Sequence, residues 1–144
     1  MIDSLISDNE IELNNVEINS NWGTDGRQSP ETISKTTTTI DSLVSSLRIT
    51  GIDLLKIDVD GFDYKVLKGS VNSLKNFRPR VFCELCEYTL KAQGDSINDI
   101  FSLMCGLGYE VFSEVDGSPL SLESALGFIG INTSINAVFR YTQS

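Results

Sequence analysis

The 144-residue sequence contains no histidine, only three cysteines and a single tryptophan, and it is short of positive charge, with 11 Lys and Arg against 20 Asp and Glu. Without histidine the commonest general base is missing, so any proton transfer must use Asp, Glu, Lys, Tyr or water. Ser-His and Cys-His nucleophiles are excluded for the same reason. The net charge of -9 repels a phosphate backbone and leaves no basic stripe, which argues against nucleic acid or an anionic lipid surface as partner. Cys83, Cys86 and Cys105 are an odd number in so short a chain, so reduced thiols are expected rather than a secreted disulfide framework. No apolar run approaches the roughly 20 residues of a membrane span. The opening stretch, MIDSLISDNEIELNN, has neither a basic nor an apolar signal region. Together these absences predict a soluble, cytoplasmic protein.

What is present, 40% hydrophobic and 22% charged residues, suits one globular domain with a modest core. Residues 1–35 are polar, with the short alternation Ile11, Leu13, Val16, Ile18 followed by a stretch rich in Gly, Asn, Ser and Thr, and predict a hairpin and a long loop. Residues 36–144 carry the stronger signals. TTTTI at 36–40 is strand-like, and Asp41 stands where the N-cap of a short helix belongs. IDLLKID predicts a strand, after which Phe62, Val66 and Leu67 mark a helical face that Gly69 can close in a left-handed cap. A second short helix over SVNSLKNF is expected next. RVFCELCE, residues 80–87, has apolar groups on both faces, as a strand inside a sheet does. Ile97, Ile100, Phe101, Met104 and Cys105 recur at helical spacing, with Asp95 as N-cap and Gly108 past the end. YEVFSEV and NAVFRYT predict two final strands without a convincing helix between them.

Strands alternating with helices indicate an α/β fold, a partial Rossmann-like three-layer sandwich with a mostly parallel sheet and an antiparallel last strand. Ligands bind such sheets outside the carboxyl ends of the strands. That is where IDLLKIDVDGFDYKVLKGS, residues 52–70, places Asp58 and Asp60, with Glu84 and Glu87 near the same end of the next strand. Lys56 shares a strand face with Ile52 and Leu54, and an unpaired buried ammonium is costly, so it is expected to pair with Asp58 or Glu84, or to extend to water. A buried ion pair without chemistry and a reactive charge cluster both account for these residues.

Two other motifs fail on spacing. Aligned on Gly61, DVDGFD lacks the calcium-loop acid where Lys56 stands and the bidentate Glu where Leu67 stands. CELC has zinc-like spacing, but a tetrahedral site wants four ligands and the chain has one other cysteine and no histidine, so core cysteines are expected and no metal.

The stretch IDLLKIDVDGFDYKVLKGS, preceded by TTTTIDSLV and followed by PRVFCEL, resembles the second half of an FkbM-type methyltransferase domain. The correspondence runs through Ile40-Asp41, Asp53 to Gly61 with Asp60 in place of the family's glutamate, Val66 to Gly69, Pro79 to Glu84, Gly108 to Phe112 and Asn136 to Phe139, across residues 36–141. The resemblance implies a Rossmann-like enzyme that uses S-adenosylmethionine to methylate a hydroxyl of a sugar or other small metabolite. It makes Lys56, Asp58, Asp60 and Glu84 the site residues, with Asp58 placed to accept the hydroxyl proton. The Gly-rich strand-turn that opens such domains is not recognised in the sequence, so the chain is expected to hold the distal half, with cofactor binding by this chain alone in question. The alternative is a non-catalytic α/β interaction module. In either case an exposed sheet edge is expected to favour a homodimer or a complementing chain.

Overall fold

The computed structural model describes residues 5–10, 12–18, 31–128 and 133–142. In chain order the elements are β1 (Leu5–Ile6), β2 (Glu12–Ile18), β3 (Glu31–Thr38), α1 (Ile40–Ser46), β4 (Leu54–Ile57), α2 (Asp63–Lys68) and α3 (Val71–Phe77). Then follow β5 (Arg80–Leu85), α4 (Glu87–Ala92), α5 (Ile97–Gly106), β6 (Tyr109–Ser113), α6 (Leu122–Phe128) and β7 (Ile135–Tyr141).

Four strands form the main sheet in the order β4-β5-β7-β6. β4 pairs parallel to β5, while β7 lies antiparallel to both β5 and β6. Strands β4, β5 and β6 therefore point one way and the last strand opposes them, the α/β arrangement expected from the sequence.

Pairing registers sort the side chains into two unlike faces. One carries Ile57, Val81, Cys83, Leu85, Ala137, Phe139, Tyr109 and Val111, all buried. Three contacts show what covers it. The Cys83 thiol meets Asp63 of α2, the Tyr109 hydroxyl donates to the Leu74 carbonyl of α3, and Phe101 of α5 meets Phe139 edge-on at a ring separation of 6.3 Å. Burying these apolar groups at roughly 25 cal/mol per Å² drives the helices onto this side. The opposite face carries Leu54, Lys56, Arg80, Phe82, Glu84 and Arg140, none of them buried. Of the partial sandwich, the sheet and one helical layer are thus the parts built from described residues. Phe82 of β5 is accordingly only half-buried, where a strand covered on both sides was expected.

In a smaller sheet, β1-β3-β2, the stretch expected to fold back as a hairpin is instead one strand, β2, which has a register shift between Leu13 and Val16 and runs antiparallel to β3. β3 starts at Glu31, earlier than the threonine run alone suggests, and Ile11 and the loop over 19–30 lie outside the described residues. This sheet is fastened to the main body by the Asp8–Lys68 ion pair at 2.7 Å and by close approach of Ser7 to Gly69. Gly69 is not left-handed as expected, with φ -74°. A Cβ there would overlap the Ser7 carbonyl, so the glycine serves backbone contact rather than capping.

Two expected N-caps are taken by nearby residues instead, each for a tertiary reason. Thr39, not Asp41, caps α1 by accepting from the Ser42 amide. Asp41 reaches across to the start of α3, accepting from the Asn72 and Ser73 amides and the Ser73 hydroxyl at 2.9, 2.8 and 2.6 Å. Ser96, not Asp95, caps α5, and Asp95 instead pairs with Lys65 of α2. Gly108 follows α5 with φ +90°, as its place past the helix end predicts. Ile97, Ile100, Phe101 and Met104 are buried, whereas Cys105 is exposed at the margin of the stripe.

Two helices were not expected. α4 starts directly after β5, with Cys86 as its N-cap residue, and α6 occupies the β6–β7 connection, where the Ser121 hydroxyl accepts from the Ser124 amide. Both are under two turns in length, too short for a periodic signal. No described helix is long and apolar enough to cross a membrane.

Candidate functional site at the carboxyl edge of the sheet

β4 delivers the charges that the sequence singled out. Lys56 and Asp58 pair at 2.6 Å, as expected, but their side chains are 61% and 54% exposed, so this is a solvated pair and not a buried one. Among the described residues β4 is an edge strand, and Lys56 on it is open to solvent, which is why an ammonium in an apolar run costs little here. Lys56 is paired in register with Phe82 and Ile57 with Cys83. Asp58 follows Ile57 directly as Glu84 follows Cys83, on strands about 4.8 Å apart.

The chain leaves β4 through a tight turn. The Phe62 amide donates to the Val59 carbonyl at 3.1 Å, and both central residues are left-handed, Asp60 with φ +49° and Gly61 with φ +96°. Asp-Gly is the pairing that such a type I′ geometry favours. Gly61 is required twice over, because a Cβ would also overlap the Thr89 carbonyl of α4. Asp60 thus sits at the tip of the turn, exposed and one step beyond Asp58.

Asp63 was missed by the sequence reading. It is buried at the start of α2, accepts from the Gly61 amide at 3.1 Å and faces the Cys83 thiol at 3.8 Å. Burial raises its pKa against the opposing pull of backbone amides, and Glu84 adds to the rise. Burial, with Asp63 next, also pushes the Cys83 thiol well up, leaving an inert core cysteine. An acid at the first position of a helix was the available signal. Asp63 positions the turn that carries Asp58 and Asp60.

On β5, Glu84 is half-buried and accepts from the Ser134 hydroxyl at 2.6 Å, while its register partner on β7 is Asn136. Glu87 does not join it. That carboxylate accepts from the Ile97 amide at 2.9 Å and pairs with Lys91 at 3.1 Å, so it serves α5 and α4. Beyond Glu84, between the end of β6 and the start of β7, lies an open pocket of about 540 Å³. Asp58, Asp60, Glu84 and the pocket follow one another along a single sheet edge.

S-adenosylmethionine, the donor implied by the resemblance, calls for backbone laid open by glycine at a strand-to-helix turn. Gly61 occupies such a turn, but the space of its missing Cβ is taken by Thr89. Gly117 stands at an exposed turn with nothing within 4 Å. The carboxylates suit hydroxyl groups, yet the described residues do not by themselves form a cradle that fits the cofactor. Among the described residues no group of three or more Cys, Asp or Glu is placed to hold a metal ion.

The model of the methyltransferase FkbM domain matches residues 6–111. No curated protein and no solved structure matches the chain. The matched range takes in the N-terminal sheet, which the motif resemblance left out, and it contains Lys56, Asp58, Asp60 and Glu84. With well over half of its 144 residues matched, including the charged end of β4, the chain belongs to the FkbM methyltransferase domain family.

Proposed function

We propose that this chain serves an S-adenosylmethionine-dependent O-methyltransferase acting on a hydroxyl of a sugar or small metabolite. The observation that supports it is the neighbouring placement of Asp58 and Glu84 on the open face at the carboxyl edge. Asp58 accepts the proton of the acceptor hydroxyl, and Lys56 holds the Asp58 carboxylate in place. Glu84, steadied by Ser134, orients the hydroxyl, and Asp60 lines the rim. Residues 36–144 carry this acceptor side, and the cofactor half comes from outside the described residues, in the cytoplasm. Labelled S-adenosylmethionine with a panel of free sugars tests the reading. Methyl transfer by a cofactor-completed form that Asp58→Asn abolishes supports it, and transfer that survives Asp58→Asn removes Asp58 from its role.

A second reading has its own observation. β4 is the sheet's edge, Leu54 on it is 62% exposed, and Ile49 and Val59 flank it in the open. An uncovered apolar edge accepts a further strand, so the chain can act as a non-catalytic module that assembles with a copy or a complementing chain. Light scattering of the purified chain, read together with a methyl-transfer assay, separates the two. A stable assembly with no methyl transfer under any complementation favours the module.

A further inference from the structure

We propose that the pocket between β6 and β7 is the acceptor-binding site, and that it takes a hydroxyl-rich ligand carrying an amine, an amino sugar being the best fit, while rejecting phosphorylated or carboxylated sugars. The proposal rests on the methyltransferase reading and names its substrate class.

The walls are built, not incidental. After β6 the chain folds back on itself, with the Ser113 amide donating to the Ser118 carbonyl at 2.8 Å, Gly117 to Ser113 at 3.0 Å and Leu120 to Val111 at 2.8 Å. Gly117 is left-handed at φ +71°, and the Asp116 carboxylate accepts from the Ser118 amide and hydroxyl, which fixes the turn. Those bonds draw the Asp116 pKa down.

Opposite this turn stand Ser134 and Asn136, and both connect to Glu84, one by its hydroxyl and the other by strand register. The pocket thereby borders Glu84 and, with β5 between β4 and β7, lies on the same sheet edge as Asp58. A ligand seated in it can extend a hydroxyl along the edge toward them.

Chemistry of the lining selects the ligand. Glu114 and Asp116 are carboxylates, and among the described residues no basic side chain lines the pocket. The Glu114 amide donates to the Asn136 carbonyl at 3.4 Å, while its carboxylate accepts no hydrogen bond from a described residue and is available. In a protein of net charge -9 an anionic group here would meet repulsion without a counter-charge. An ammonium is attracted. Ser134 and Asn136 offer donors and acceptors to sugar hydroxyls. Ile135 and the 71% exposed Phe128 provide an apolar wall for the C–H face of a pyranose ring.

The test uses the full chain, isotope-labelled, titrated with glucosamine, glucose and glucose 6-phosphate and followed residue by residue by NMR. Glucosamine is expected to shift the amides of Glu114, Ser134 and Asn136, glucose to do so more weakly, and glucose 6-phosphate not at all. Glu114→Gln should weaken glucosamine about tenfold, the equivalent of one charge-assisted hydrogen bond, with little change for glucose. Ser134→Ala, which leaves the β6 turn intact, should weaken both sugars. Shifts confined to another region, or glucose 6-phosphate binding as tightly as glucosamine, overturn the proposal. Failure here with methyl transfer intact leaves the enzyme reading standing, whereas amino-sugar binding without methyl transfer by any completed form sinks the enzyme reading and overturns the pocket's acceptor role with it.

Discussion

Ser134, just ahead of β7, donates its hydroxyl to Glu84 at the end of β5 across 2.6 Å and 50 residues of chain. The bond joins the strand ends that hold the candidate site to the wall of the pocket. It is solvent-exposed, so its net worth to folding is about 1 kcal/mol or less. Ser134→Ala is therefore expected to shift the melting temperature by only a few degrees while lowering turnover of a completed enzyme by a larger factor. Equal losses in both would assign the bond to structure only.

The Lys56–Asp58 pair is exposed at both partners, and such pairs contribute roughly 0–1 kcal/mol. Asp58→Asn and Lys56→Ala should each leave urea denaturation almost unchanged. A destabilisation well beyond that range would mean that a further partner covers the pair.

Asp41 is the opposite case, with three bonds to the start of α3 from a residue in α1. Asp41→Ala strips the α3 N-terminus of its acceptor and should cost about 1–2 kcal/mol, the usual scale of a lost cap. Chemical denaturation of the purified variant reads this directly.

Gly61 and Gly94 make a controlled pair, since both are left-handed but only Gly61 has a neighbour in its Cβ position. Gly94→Ala should cost about 1 kcal/mol for its backbone alone. Gly61→Ala adds the overlap with Thr89 and should cost about 3 kcal/mol or more. Similar values for the two would show that the turn and α4 can move apart.

Tyr109 carries the pH prediction. Burial pushes its hydroxyl up from 10 to about 12, with Tyr141 adding to the rise and Arg78 opposing it. A raised folded-state value means the group's contribution is complete below pH 10 and is lost as pH climbs through about 12. Tyr109→Phe should lower stability at neutral pH by about 1 kcal/mol, the Leu74 hydrogen bond, and flatten the alkaline decline between pH 10 and about 12. An unchanged alkaline limb would place that titration elsewhere.

Much of this was legible in the residues. β4, α2, α3, β5, α5, β6 and β7 follow from apolar periodicity because alternation and helical spacing report burial directly, and the Lys56–Asp58 pair follows from charges two apart on one strand. Asp63 was not legible. Nothing local distinguishes a carboxylate that will be buried against Cys83 from one that stays in solvent, and the N-cap positions of Asp41 and Asp95 were outcompeted by partners some 30 residues away.

By itself the sequence determined the α/β class, the direction of the last strand and the family, since these rest on short-range pattern and on motifs contiguous in the chain. Only the tertiary structure decided that β4 is an edge strand among the described residues, which makes the lysine cheap to place, and that Ser134 joins Glu84 at the rim. Those relations depend on which strands pair and in what register, and pairing is set by contacts summed over the whole sheet, which no single stretch encodes.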